Sequence, residues 1–141
     1  MEIPKEIKNL LKNNKLCSMA TCSDEQPYLS LMNYTYLESE NMVILSSRKN
    51  SKKYSNIQKN KNISILVSSD SPKKSATFLG KALTINTGDK KEEYYKKIHI
   101  RNCDMPQFIL GDELSLIIFE IEEIIVSDSQ DNVKYIGETS K

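Results

Sequence analysis

Apolar residues recur at Ile3, Ile7, Leu10 and Leu11, with Pro4 at the first helical position, and this spacing predicts a short amphipathic helix over 3–11. From Leu16 the period drops to that of a strand. Leu16 to Thr21 and Tyr28 to Tyr36 are rich in β-formers and flank the polar stretch Ser23 to Pro27, which reads as a hairpin. A third strand, Met42 to Leu45, follows the acidic turn Glu38 to Asn41. The next stretch, Ser46 to Lys53, carries hydroxyls and cations and leads into a helical segment, Tyr54 to Lys59, with Asn50 or Ser51 as its N-cap. Ile63 to Val67 returns to strand, Ser68 to Lys74 reads as a loop around Pro72, and Ser75 to Ile85 is a long strand interrupted by Gly80, the mark of a bulge. Asp89 with Glu92 makes an imperfect capping box for a charged helix to about Arg101, with Tyr94, Tyr95 and Ile98 on its buried side. Leu114 to Val126 is long enough for a bent strand, and Asn132 to Ile136 adds a short edge.

Strands without a βαβ rhythm imply a mainly β (α+β) fold: an antiparallel barrel of six or seven strands with two or three peripheral helices. The chain of 141 residues carries no repeat and no Pro/Gly/Ser-rich linker, so one domain over 1–141 is expected. A domain of this size buries a core without staples. Twenty Lys and Arg against nineteen Asp and Glu leave a net charge of +1. That balance argues against nucleic-acid and membrane-surface partners, both of which depend on a strong positive field. No apolar run has the length of a membrane span and no secretory leader precedes Pro4, so a cytoplasmic, reducing location is expected. Cys17, Cys22 and Cys103 lack zinc-site spacing and read as structural or incidental thiols.

Self-sufficient catalytic sets are missing from the sequence. His99 is the only histidine, Glu120, Glu122 and Glu123 read as a solvated strand face, and the four glycines form no phosphate-cradling motif. No metal site and no catalytic side chain is assigned. Hard chemistry in such a chain belongs to a bound cofactor. The strand-to-helix stretch Ser46 to Lys53 is a candidate anion site, because hydroxyls, ammonium groups and a helix N-terminus together meet the needs of a phosphate.

The order of pieces resembles the pyridoxamine 5′-phosphate oxidase-like FMN-binding split-barrel superfamily along nearly the whole chain. The resemblance rests on Leu16 to Thr21, Gln26 to Tyr34, Met42 to Ser47, Ser51 to Lys53 with Asn56 to Asn60, and Ala76 to Ala82. The run Ser30 to Tyr36 is similar to a branch associated with microbial eukaryotes. The resemblance implies FMN bound at a homodimer interface. It implies that Leu29, Ser30, Leu31, Met32, Asn33 and Tyr34 lie along the flavin ring, that Ser46 and Ser47 touch the phosphate side, and that Lys52 and Lys53 bind the phosphate. It also implies a cofactor contact at Ser75, where the family commonly has a longer glutamine. Vitamin B6 oxidases of this family grip their substrate with a C-terminal Arg- and Trp-containing segment, and after Val126 this chain has neither residue. The resemblance therefore points to an FMN-dependent oxidoreductase other than a pyridoxine phosphate oxidase, passing electrons between a reduced donor such as NAD(P)H and a small acceptor. Two alternatives stand beside it: a non-catalytic flavin-binding electron carrier or reservoir, and the same barrel holding haem or a deazaflavin. Haem would want an axial ligand, and only His99 is available.

Overall fold

The computed structural model describes residues 1–70, 73–85, 90–102, 113–128 and 133–137. Helix α1 (Lys5–Lys12) starts after Pro4, which acts as its N-cap, and buries Ile7, Leu10 and Leu11. Strands β1 (Leu16–Ser23) and β2 (Gln26–Asn33) form the expected hairpin with a tighter turn. Asp24 and Glu25 both take left-handed φ values of 53° and 64°, so two residues close it and Pro27 joins the strand. After Tyr34 the chain continues as β3 (Thr35–Leu37), makes a single 3-10 turn over Glu38–Glu40, and returns as β4 (Met42–Arg48).

Helix α2 (Lys52–Lys59) is capped by Ser51, whose hydroxyl accepts from the Tyr54 amide. Strands β5 (Asn62–Asp70) and β6 (Lys73–Ile85) form a second hairpin. The segment expected as a loop over 68–74 is mostly ladder, with Ser68, Ser69 and Asp70 opposite Ser75, Lys74 and Lys73. Helix α3 (Lys90–Asn102) buries Tyr95 and His99, whereas Tyr94 is 52% exposed and not on the buried side. The expected cap Asp89 lies outside the described residues. Strand β7 (Leu114–Asp128) is the long bent strand, and β8 (Val133–Gly137) pairs with it as an edge.

All eight strands belong to one antiparallel sheet in the order β2-β1-β5-β6-β7-β4-β3, with β8 beside β7. The two ends of that order are consecutive in the chain and separated only by Tyr34. The sheet must therefore curl round until its ends meet at that residue, which makes a barrel. Gly80 sets part of the curl. The register slips between Leu79 and Gly80, and a Cβ at Gly80 would stand 1.9 Å from the Glu120 carbonyl oxygen. Inside lie Met19, Tyr34, Leu45, Ile65, Phe78, Ile117 and Phe119, all essentially buried. A second cluster, Ile44, Tyr95, Leu116 and Ile118, holds α3 against the outside of β4 and β7.

Candidate functional site

Closure at Tyr34 is incomplete on one side. Strand β3 pairs with β4 only as far as Thr35 opposite Ile44. Beyond that pair, β2 turns away to join β1 while β4 continues along β7, so residues 29–33 and 46–48 form the two arms of an open seam. The arms approach each other near Tyr34 and make no ladder.

The β2 arm presents backbone to this seam at defined positions. The Tyr34 amide donates to the Lys15 carbonyl at 2.9 Å, and the register then runs without a break to the turn. Opposed residues in an antiparallel pair alternate between bonded and non-bonded pairs. Tyr28, Ser30 and Met32 therefore spend their backbone groups on β1, and Leu29, Leu31 and Asn33 point N–H and C=O toward the free edge. Pro27 shares that parity, where a missing N–H costs no ladder bond. The side chains divide the other way: Leu29 and Leu31 are 69% and 71% exposed on the outer face, while Met32 and Tyr34 are in the core. The Ser30 hydroxyl oxygen is buried with no hydrogen-bond partner. Tyr34 is occupied structurally, its phenol donating to the Leu11 carbonyl at 2.7 Å to seat α1.

The β4 arm ends at the positive end of α2. Ser47 is buried on the inner face, its hydroxyl 2.8 Å from that of Ser51, which in turn donates to the Arg48 carbonyl at 2.7 Å. With Tyr54 capped by Ser51, the first-turn amides of Lys52 and Lys53 remain at the positive end of a helix whose first two residues are both lysines, Lys52 exposed and Lys53 half-buried. Asn56, buried one turn on, donates to the hydroxyl of Thr21 on β1 at 3.1 Å. Ser46 does not join this group. Its strand parity turns it to the other face, into a narrow crevice with Glu92, Lys96 and Ser115 under α3. Ser75 is also apart from the seam. It lies on the outer face of β6, three strands from β2 and so roughly 14 Å away.

His99 is fully buried, with Nδ1 2.8 Å from Thr35 Oγ1 and Nε2 without a partner, and burial pushes its pKa down to about 4. It faces β3 from the α3 side, so it offers no axial position to a group in the seam. Cys17 and Cys22 are free thiols, and burial drives the Cys17 pKa up to about 12. Cys103 lies outside the described residues. Glu120, Glu122 and Glu123 are exposed on β7 as expected. Among the described residues no group of three metal-ligating side chains comes together, and no helix is long and apolar enough to cross a membrane.

The arrangement can hold an anionic group at the turn of Lys52 and Lys53 and a flat polar ring edge along β2. An FMN molecule needs both features at once, and β2 itself carries a buried hydroxyl without a partner, that of Ser30. Thr21 and Asn56 escaped sequence reasoning, because a buried Thr-to-Asn bond across 35 residues leaves no local pattern.

A family model described as pyridoxamine 5′-phosphate oxidase matches residues 3–128. A pyridoxamine 5′-phosphate oxidase homolog of Schizosaccharomyces pombe is 29% identical, the match covering 93% of this chain and 88% of that protein. A corresponding homolog of Saccharomyces cerevisiae is 25% identical over 98% of this chain and 96% of its own length. Among solved structures, a haem binding protein from Mycobacterium smegmatis superposes with a TM-score of 0.78 at 12% identity, covering 97% of this chain and 60% of that one. A pyridoxamine 5′-phosphate oxidase-related, FMN binding protein from Nostoc punctiforme gives a TM-score of 0.69 at 10% identity over 99% of this chain and 100% of that one. At such identities the two structures speak to the fold, a split β-barrel with peripheral helices.

Proposed function

The chain belongs to the pyridoxamine 5′-phosphate oxidase family, and from that premise we propose that it is an FMN-binding flavoprotein and oxidoreductase, passing electrons from a reduced donor such as NAD(P)H to a small acceptor. The seam carries the proposal. It joins a free strand edge to the doubly lysine-flanked start of a helix, and the haem alternative loses its only histidine to the α3 packing. Bound there, FMN would supply the electron and hydride chemistry.

The chain's own contribution is placement. Backbone groups of Leu29, Leu31 and Asn33 meet the polar rim of the ring, and fixed N–H donors stabilise negative charge there without rearrangement. Lys52, Lys53 and their helix end neutralise the phosphate. Among the described residues no histidine or acid–base pair stands in the seam, so turnover depends on how the ring is held.

A second copy of the chain completes the proposed site. Leu16 and Leu66 are 52% and 41% exposed beside Leu29 and Leu31 on the outer face, where Ser18 pairs with both Leu31 and Leu66. Four exposed leucines on one face, with Ser18 among them, suit a subunit interface. Ser75 lies on this same face, and its expected cofactor contact requires the partner's seam. The free thiols fit a reducing, cytoplasmic location.

Flavin uptake tests the proposal. FMN at 100 times its Kd should raise unfolding stability by about 2.7 kcal/mol. Replacing Lys52 and Lys53 together with Ala should weaken FMN at least tenfold more than riboflavin, about 1.4 kcal/mol of phosphate-specific binding. No uptake of FMN overturns the cofactor; equal losses for the two flavins overturn the phosphate site. NAD(P)H consumption by the loaded protein separates an oxidoreductase from an electron carrier.

A further inference from the structure

We infer that Asn56 is a positioning residue: through its bond to Thr21 it holds the Lys52-Lys53 turn in place beside the β2 edge and thereby sets the preference for a phosphorylated flavin. The inference rests on the FMN reading. It starts from an oddity of α2, whose buried residues are only Asn56 and Ile57. A helix fixed by one isoleucine is free to rotate or slide, since apolar burial is non-directional. The Asn56 amide removes that freedom. It is 5% exposed, and it donates at 3.1 Å to a threonine hydroxyl that is 2% exposed.

The two ends of this bond lie where positioning matters. Asn56 follows Lys52 by four residues and Lys53 by three, which places all three on neighbouring positions of one helix face. Thr21 is opposite Tyr28 on β2, one residue before the free-edge backbone of Leu29 begins. Meanwhile Ser51, at the head of the helix, is bonded to Ser47 on β4. Helix α2 is therefore tied to both arms of the seam, by Ser51 to the β4 arm and by Asn56 to the β1–β2 arm. A third bond, from Gln58 Nε2 to Thr84 Oγ1 at 3.1 Å, is exposed and holds the far end of the helix to β6, so the buried Asn56 bond is the lateral tie nearest the first turn.

The test replaces both partners by apolar residues of similar size, Thr21→Val with Asn56→Leu. A matched apolar replacement leaves no orphaned polar atom and can be nearly neutral for stability. We expect the double variant to keep the wild-type melting temperature within about 4 °C. FMN affinity should fall about tenfold while riboflavin affinity changes less than about twofold. Thr21→Ser, which retains the hydroxyl, should keep the wild-type ratio. Should the double variant fail to fold, Thr21→Val alone is read in the same way. An unchanged FMN-to-riboflavin ratio, or an equal loss of both flavins, overturns the positioning role while leaving the FMN reading intact. A wild-type protein that takes up neither flavin overturns both.

Discussion

Protonating His99 should undo the seat of α3. The imidazole is buried between α3 and β3, bonded to Thr35 through Nδ1, and its Nε2 has no partner to share an added charge. Burial lowers its pKa from 6.5 to about 4. The sign follows from linkage: between those values the unfolded chain binds the proton and the folded chain does not, so stability is complete above pH 6.5 and falls as the pH drops toward 4. At 1.36 kcal/mol per unit, lowering the pH from 7 to 4.5 should cost about 2 kcal/mol through this one side chain. Other groups move with pH too; Lys12 and Lys8 hold the Glu38 carboxyl below its ordinary range, and that support is also lost in acid. The comparison that isolates the ring is urea unfolding of wild type and His99→Gln at both pH values, where only wild type should lose the extra amount. Because the chain has a single histidine, its ring resonance can also be titrated directly. An NMR midpoint near 6.5, or the same pH dependence in the variant, would refute the account of this helix.

Three further outcomes follow from the geometry. Gly80→Ala drives a methyl into the Glu120 carbonyl and should destabilise the fold on the order of 3 kcal/mol, read as a lower denaturant midpoint; a wild-type midpoint would show that the bulge does not need glycine. Leu29→Asp with Leu31→Asp should leave the melting temperature nearly unchanged, because both side chains are outside the core, yet should abolish the proposed homodimer, read in light scattering as a dimeric wild type and a monomeric variant. A variant that remains dimeric removes this face from the interface. The loaded protein should lose flavin as the ionic strength rises if Lys52 and Lys53 carry phosphate affinity, and salt-independent binding would count against them.

Much of this arrangement is legible in the sequence where local chemistry decides it. Ser51 announces its cap, Gly80 its bulge, and the apolar run from Leu114 its long strand. The divergent pointing of Ser46 and Ser47 is also implicit in a strand's two-residue period. Reading them as a hydroxyl pair overrides that alternation. Within the loop expected over 68–74, residues 68–70 and 73–74 are ladder, because hairpin pairing outweighs the weak strand preference of serine and aspartate. Around β2 the pattern is ambiguous, since Leu29 and Leu31 on one face are as apolar as Met32 and Tyr34 on the other. A strand with two apolar faces does not say which one its own chain covers. The burial of His99 depends on Thr35, 64 residues earlier, and no periodicity within a lysine-rich helix records that contact.

Amide NMR reads the free edge of β2 directly. During an FMN titration the N–H resonances of Leu29, Leu31 and Asn33 should shift and their hydrogen exchange should slow, while those of Ser30 and Met32, already bonded to β1, should keep their exchange rates. Saturation with FMN that leaves Leu29, Leu31 and Asn33 unprotected, or that protects another strand in their place, would contradict a flavin seated in the seam.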